Sequence, residues 1–449
     1  MLIYLLLSIL VIGSFFVLSL KKPRIALMVL LALVGLWPSY VAIILPGVGF
    51  ALTPQRVGFL LLFSAWLIHV AYDKTMRVRV SETIESNKSV FYLAIAYFIF
   101  GIVGSAIVSA APVKSVAAGV FQFISYPLVL VFVITYFSQR KHLILLFYVL
   151  MMIALITEII GLAEWVHQDN IFAIFVDPVS EVAQVMMTAK VRGDVYRIQS
   201  TFSNPLAFAE FLLLMMPVSL YFLYPRKCGV AIRLLAGVQI ILGLICIYLT
   251  ASRTSILLAV LFTIIFGMFL SRLERMNWSK VIFGSIVMVL LGAIFLPWDT
   301  IAAYVVGDSE TVNSTLGRIY QLEAGIPAAL KSPFFGYVLA QGVIYVAPLK
   351  SIDNYYLTAA LDTGLTGLVI LLWFQWRSFK SALNVNSANM FPKIGTFLAM
   401  AFLGLFINEL TLSIIEPFTF FFAILGVIMI MKYNGNQNNQ PRKLSIKNV

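Results

Sequence analysis

Charge is what this sequence lacks. Asp, Glu, Lys and Arg make up 11% of its 449 residues, against about a quarter in a soluble domain. With 61% hydrophobic residues and a mean hydropathy of +0.98, that scarcity excludes a soluble globule. Three histidines and two cysteines offer no metal-ligand spacing, so neither a metal nor any other cofactor is expected. Cys228 and Cys246 are assigned to the inner side of a membrane, which implies no outer disulfide. No internal repeat, low-complexity domain or soluble domain is visible.

What the chain has is one apolar run after another, each of the roughly twenty residues that a helix needs to cross a bilayer. They fall near 2–20, 25–45, 56–72, 89–110, 117–136, 143–165, 205–224, 233–250, 255–271, 280–298, 353–374, 394–410 and 415–432. The expectation is an all-α polytopic membrane protein of about 13 transmembrane helices, within a range of 12–14. The second run is the weakest, because Trp37-Pro38 interrupts it; a kink or a re-entrant course is expected there.

No basic residue precedes the first run, no small-residue cleavage site ends it, and Lys21-Lys22-Pro23-Arg24 follows it. This pattern reads as a retained anchor with its N-terminus outside. On that topology the inner segments are 21–24, 73–88, 137–142, 225–233, 272–280, 375–393 and the tail after Met431. They hold most of the 31 Lys and Arg. Arg56, Lys114, Lys190, Arg192, Arg197, Arg253, Arg318, Lys331 and Lys350 fall elsewhere. Among the acids only Asp73, Glu82, Glu85 and Glu274 are inside. The net charge of +12 is therefore a topology signal and not a nucleic-acid footprint.

The chain divides into an N-terminal transmembrane scaffold (1–165), a catalytic-type region (166–374) with outer loops 166–204 and 299–352, C-terminal helices (375–432) and a disordered basic tail (433–449). In the scaffold, Arg56 and Lys114 read as interface residues whose charges reach the headgroups. Glu158 is a candidate because a carboxylate inside a membrane usually faces a polar cavity; Glu164 is read as reaching the headgroups.

The polar loops hold the remaining candidates. Arg197 lies just before a helix start at Ser203-Asn204-Pro205, where unpaired backbone N–H groups and a guanidinium together suit a phosphate. Glu210 is an acid two turns into that helix. Arg253 sits in the tight connection Leu249-Thr-Ala-Ser-Arg-Thr-Ser255. Ser314-Thr-Leu-Gly-Arg-Ile-Tyr320 opens a helix whose Leu316, Ile319, Ile326 and Leu330 recur at helical spacing, so it is expected to lie on the membrane and bend at Pro327. Arg318 is near its start. The chain then delivers Asp353 and Asn354 to the first turn of an apolar helix. Asp353, Leu357, Ala360, Gly364 and Gly367 share one stripe at about 100° per residue, narrow enough for close contact. Asp353 also has the position of an N-cap.

These pieces, in this order, resemble the bacterial O-antigen polymerase and O-antigen ligase superfamily of polyprenyl-pyrophosphate-dependent glycan enzymes. The resemblance runs through Arg197 with Phe202-x-Asn204-Pro205, then Ser252-Arg253, Gly317-Arg318 and Ser332-Pro333-x-x-Gly336. It ends with Asp353-Asn354-x-Tyr356-Leu357 and Asp362-x-Gly364-Leu365-x-Gly367-Leu368. It covers roughly residues 190–370. The ligases typically carry His where this chain has Asp353, a departure that favours the polymerase branch.

The resemblance implies a C-type glycosyltransferase-like fold. It also implies transfer of a growing glycan from undecaprenyl pyrophosphate to a lipid-linked repeat unit at the periplasmic face of the inner membrane. Asp353, Arg318 and Glu210 are then the catalytic candidates. Arg197, Arg253, Arg192, Asn204, Asn354 and Tyr355 are the pyrophosphate- and glycan-binding ones. The implied partners are undecaprenyl-pyrophosphate-linked oligosaccharides, membrane lipid and a chain-length regulator, without nucleic acid. Two alternatives stay open, a ligase-type transferase to lipid A-core and a polysaccharide flippase or transporter.

Overall fold

The computed structural model describes residues 2–45, 50–109, 111–175, 188, 190–192, 195–223, 229–274, 309–339, 342–346, 351–385, 393–413 and 415–439. Most of them are helical, and the chain is an integral membrane protein. Eight helical stretches among the described residues are long and apolar enough to cross a bilayer. Shorter apolar helices, Val11–Lys21, Pro23–Leu36, Arg253–Met268 and Ile394–Asn408, join them. The expected run 280–298 lies outside the described residues.

The chain begins with α1 (Leu2–Lys21) and α2 (Pro23–Leu36). At about 1.5 Å per residue, the 14 residues of α2 rise roughly 21 Å, short of the ~30 Å hydrocarbon core. The second predicted span is thus a short helix, not a crossing of full length. The cause is Pro38: the residue before a proline avoids the helical region, and Trp37 is extended at φ −109° and ψ 120°. A small antiparallel hairpin follows, β1 (Ile43–Leu45) and β2 (Phe50–Leu52), with Ile44 opposite Ala51.

Next come α3 (Pro54–Tyr72), α4 (Lys74–Ser86) and α5 (Lys88–Val108), then α6 (Pro112–Ser125), α7 (Pro127–Tyr136) and α8 (Arg140–His167). The polar α4, in a stretch read as loop, is capped by the Asp73 side chain accepting from Met76 N at 3.0 Å. A second hairpin, β3 (Val191–Arg192) and β4 (Val195–Tyr196), precedes α9 (Pro205–Leu223), α10 (Val230–Leu249) and α11 (Arg253–Glu274). The last helices are α12 (Ser309–Lys331), α13 (Tyr355–Leu383), α14 (Ile394–Asn408) and α15 (Phe418–Asn439). The helix α15 runs into the stretch expected to be disordered; residues 440–449 lie outside the described residues.

Helices that are apolar all round belong in the middle of a bundle. Every residue of α7 is buried, as is every residue of α9 from Ala207 to Phe222. The first fourteen positions of α15, 418–431, are buried too. The helix α9 packs against α14 and α10, and α15 against α7.

Hydrogen bonds distinguish the two ends of the bundle. At one end Arg24 meets His142, Tyr433 meets Glu82, and Asn434 reaches the Ser138 carbonyl. Three of the basic segments assigned to the inner side therefore come together with the end of α15. At the other end Gln55 reaches the Trp37 carbonyl at 2.5 Å and Asn170 reaches Tyr40 at 3.2 Å. Cys246, a buried free thiol, is one turn from the α10 terminus that joins this second end. Its assignment to the opposite side is corrected, since α10 runs toward Thr250.

The helix α13 is broken. Gly364 has φ 72° and ψ 176°, far from helical values. The gap is filled by the turn after α12: Leu365 N donates to Pro333 O at 2.7 Å, and Tyr337 N to Leu361 O at 2.7 Å. Backbone groups inside a membrane need such partners. On the small-residue stripe expected to meet another helix, Gly364 receives this turn, against Gly336, while Gly367 faces Phe100 of α5, which packs along α13.

Candidate active site

The loop between α8 and α9 is held from beneath by Glu164. Its carboxylate accepts from Gln199 N at 3.2 Å, Ser200 N at 2.6 Å and Tyr196 Oη at 2.9 Å. Glu164 was expected to reach the headgroups. It is 1% exposed and instead fixes the segment that carries Arg197, because a buried carboxylate must find donors. Ser200 is left-handed at φ 55°, and its hydroxyl donates to Thr157 O at 2.7 Å.

From that segment Arg197 Nε donates to Thr250 O at 2.8 Å, and Ile198 N to Leu249 O at 3.3 Å. The Arg197 loop is thereby tied to the α10–α11 turn that carries Arg253. Arg197 also helps burial push the Lys190 ammonium down. Asn204 caps α9, its Oδ1 accepting from Leu206 N at 2.8 Å. The hairpin pairs Arg192 with Val195; the expectation for the Arg192 side chain lies outside the described residues.

The α10–α11 turn is joined in its own right to the turn between α14 and α15. Thr411 Oγ1 donates to Thr254 Oγ1 at 3.3 Å, and Ser255 Oγ to Asn408 Oδ1 at 3.2 Å. That second turn holds the start of α13. Asn354 Nδ2 donates to Leu410 O at 3.1 Å, Tyr355 N to Glu409 O at 2.8 Å, and Ser413 Oγ to Ile352 O. Asn354, not Asp353, caps α13, its Oδ1 accepting from Leu357 N at 2.9 Å. Both polar ends of Asn354 are therefore engaged within the protein. Tyr355 is buried against Phe418 and lies 3.3 Å from Tyr97 Oη. These two residues, expected to touch substrate, make their contacts here within the protein.

Asp353 is freed from capping. It is half-buried, its backbone N–H donates to Gln321 Oε1 at 2.9 Å, and Arg318 of the same α12 acts on it electrostatically. Burial raises the Asp353 carboxyl above the usual range, and Arg318 pulls it partway back. Arg318 Nε is buried with no hydrogen-bond partner among the described residues. The helix α12 is amphipathic as expected: Leu316, Ile319, Ile326 and Leu330 are exposed, while Gly325, Ala328 and Ala329 face α13. Pro327 lies within it.

Glu210 is fully buried in α9, and both its carboxylate oxygens lack a hydrogen-bond partner among the described residues. Its electrostatic neighbours are Glu409 and Glu416, two acids that the sequence reading passed over. Glu409 accepts from Gln375 Nε2 at 2.5 Å. Glu416 accepts from Ser203 N at 3.1 Å and Ser39 Oγ at 2.8 Å, and burial raises its carboxyl. The available signal was two acids in a short connection, Asn408-Glu409 to Glu416-Pro417, between apolar helices. Glu158 of α8, the other acid candidate, is bound by Gln239 Nε2 at 2.6 Å.

Residues 238–372, from the middle of α10 into α13, match the family model described as O-antigen ligase. The match is consistent with the O-antigen polymerase and ligase superfamily, whose members are glycosyltransferase-like enzymes acting on lipid-linked polysaccharide in a membrane. A search of curated proteins finds no match.

Proposed function

We propose that the chain is a polymerase of O-antigen or a related surface polysaccharide. It transfers a growing glycan from undecaprenyl pyrophosphate to a lipid-linked repeat unit at the periplasmic face of the inner membrane. The observation that carries this reading is the chain of contacts from Arg197 through the Thr250 turn and the Thr411 turn to Asn354 and Asp353. It links the turns of Arg197 and Arg253 to the acid and to Arg318 at one end of the bundle.

The chemistry follows from those groups. A hydroxyl oxygen of the acceptor sugar attacks the anomeric carbon of the donor, and the bond from that carbon to the pyrophosphate oxygen breaks. The pyrophosphate leaves with the bonding electron pair. Asp353 takes the hydroxyl proton. Arg197, Arg253 and Arg318 stabilise the charge that develops on the leaving group, as guanidinium–phosphate pairs do. An ordinary Asp with a pKa of about 3.9 is a weak base at neutral pH. The rise that burial imposes on Asp353 makes it a better one. Glu210 is the alternative base, and Asn204, Asn354 and Tyr355 hold the turns that present these groups.

A ligase-type transfer to lipid A-core is the second reading, favoured by the family description itself; Asp353 at the position of the ligase His weighs against it. The glycan profile of a strain lacking the gene separates the two. Loss of a polymerase leaves core capped with a single repeat, whereas loss of a ligase leaves no capped core. A profile with intact long chains would overturn the proposal.

A further inference from the structure

A cavity of about 1100 Å³ opens beside the site, bounded by α2, α3, α6 and the start of α15. Its walls are mostly apolar, with Phe59 and Phe121 among them, and it is large even for a ligand pocket, which typically spans about 300–1,000 Å³. Two cations line it: Arg56, in the first turn of α3, and Lys114, near the start of α6. Arg56 lies over the Phe121 ring, 5.7 Å from its centroid. Both helices begin at the cavity, so the positive ends of their dipoles add positive potential there. The inner wall holds Thr201, Phe202 and Glu416. Thr201 and Phe202 belong to the loop between Arg197 and Asn204, and Glu416 is bonded to Ser203 N. The cavity therefore backs directly onto the loop that carries the candidate donor arginine.

An apolar chamber with two cations suits an amphiphile with an apolar tail and an anionic headgroup. The proposed transfer needs two such molecules at once, since donor and acceptor are both lipid diphosphates. We propose that this cavity is a second lipid-diphosphate site, with Arg56 and Lys114 on the diphosphate, the aromatic wall on the isoprenoid, and Glu416 accepting hydrogen bonds from the attached sugar. This inference rests on the polymerase reading. It gives Arg56 and Lys114 a ligand in place of the headgroup-anchoring role read from sequence.

The test is the stoichiometry and affinity of undecaprenyl diphosphate on the purified full-length protein, followed by native mass spectrometry. Wild type is expected to bind two molecules. Arg56→Ala with Lys114→Ala should weaken one binding event by about tenfold or more and leave the other. Arg197→Ala with Arg253→Ala should do the reverse. Should the first double variant fail to fold, Ala117→Trp, at an exposed position on the cavity lining, blocks the chamber without removing a charge and should abolish the same event. A single bound molecule that survives both cavity variants overturns the inference and leaves the polymerase reading standing. No binding at all overturns both. Equal competition by phosphatidylglycerol for the Arg56 site makes it a phospholipid site and overturns the inference alone.

Discussion

Gly336 and Gly364 meet backbone to backbone: a β-carbon on Gly336 would come within 2.5 Å of the Gly364 amide nitrogen. Both are left-handed, at φ 67° and 72°, and a β-carbon on Gly364 would come within 2.6 Å of the Pro333 and Phe334 carbonyl oxygens. Gly364, at ψ 176°, lies where essentially only glycine is found and other residues pay about 1–3 kcal/mol, and forced overpacking adds about 1–3 kcal/mol. Gly364→Ala is expected to destabilise the protein by about 2–6 kcal/mol on that basis. A variant that keeps the wild-type melting temperature in detergent would refute the account of the break in α13.

Removing the proposed base or its arginine should stop catalysis without unfolding the protein. Asp353 is half-buried and does not cap α13. Asp353→Asn and Arg318→Ala are therefore expected to lower the transfer rate by at least about 10²-fold. Long chains should vanish from the glycan profile while protein abundance in the membrane is unchanged. Long chains persisting in both variants would discard these site residues.

The pH dependence carries a definite sign. Burial raises the Asp353 carboxyl and Arg318 lowers it. A base works only when deprotonated, so the rate should rise with pH through a value above that of an ordinary aspartate, about 3.9. Replacing Arg318 with Gln removes the lowering influence, so the acid limb of the residual single-transfer rate should move to higher pH. A limb that stays in place or moves down would show that Asp353 is not the group titrating.

Glu164 should matter to the donor site at a distance. Glu164→Ala leaves the buried Gln199 and Ser200 N–H groups and the Tyr196 hydroxyl without their acceptor. Unsatisfied buried donors cost about 1–3 kcal/mol each, so a clear drop in melting temperature is expected. Glu164→Gln retains an acceptor oxygen and should recover part of it, together with part of the undecaprenyl diphosphate affinity. Equal behaviour of the two variants would contradict this role.

Much of this was legible in the sequence. The helices followed from apolar runs, the amphipathic face of α12 from helical spacing, and the start of α9 from Asn204-Pro205. Three features were not, and each depends on contacts between distant parts of the chain. Glu164 has a position typical of an interface residue; only the fold brings residues 196–200 beneath the surface onto its carboxylate. The cap of α13 fell to Asn354 because the 409–413 turn supplies Leu410 O, and no local pattern announces that partner. Gly364 looks like a helix-packing residue until the turn from Pro333 to Gly336 is seen to enter the gap.

The connection between α14 and α15 lies wholly beyond the stretch of family likeness, which ends at residue 372. Yet, with the end of α14, it grips the first turn of α13 and the start of α11 through Leu410, Thr411 and Asn408. A fragment cut to the recognisable segment would keep Arg318 beside Asp353 through Gln321 but lose the turn that ties the Arg253 connection to them. The most family-like part of the chain thus owes its working geometry to its most anonymous part.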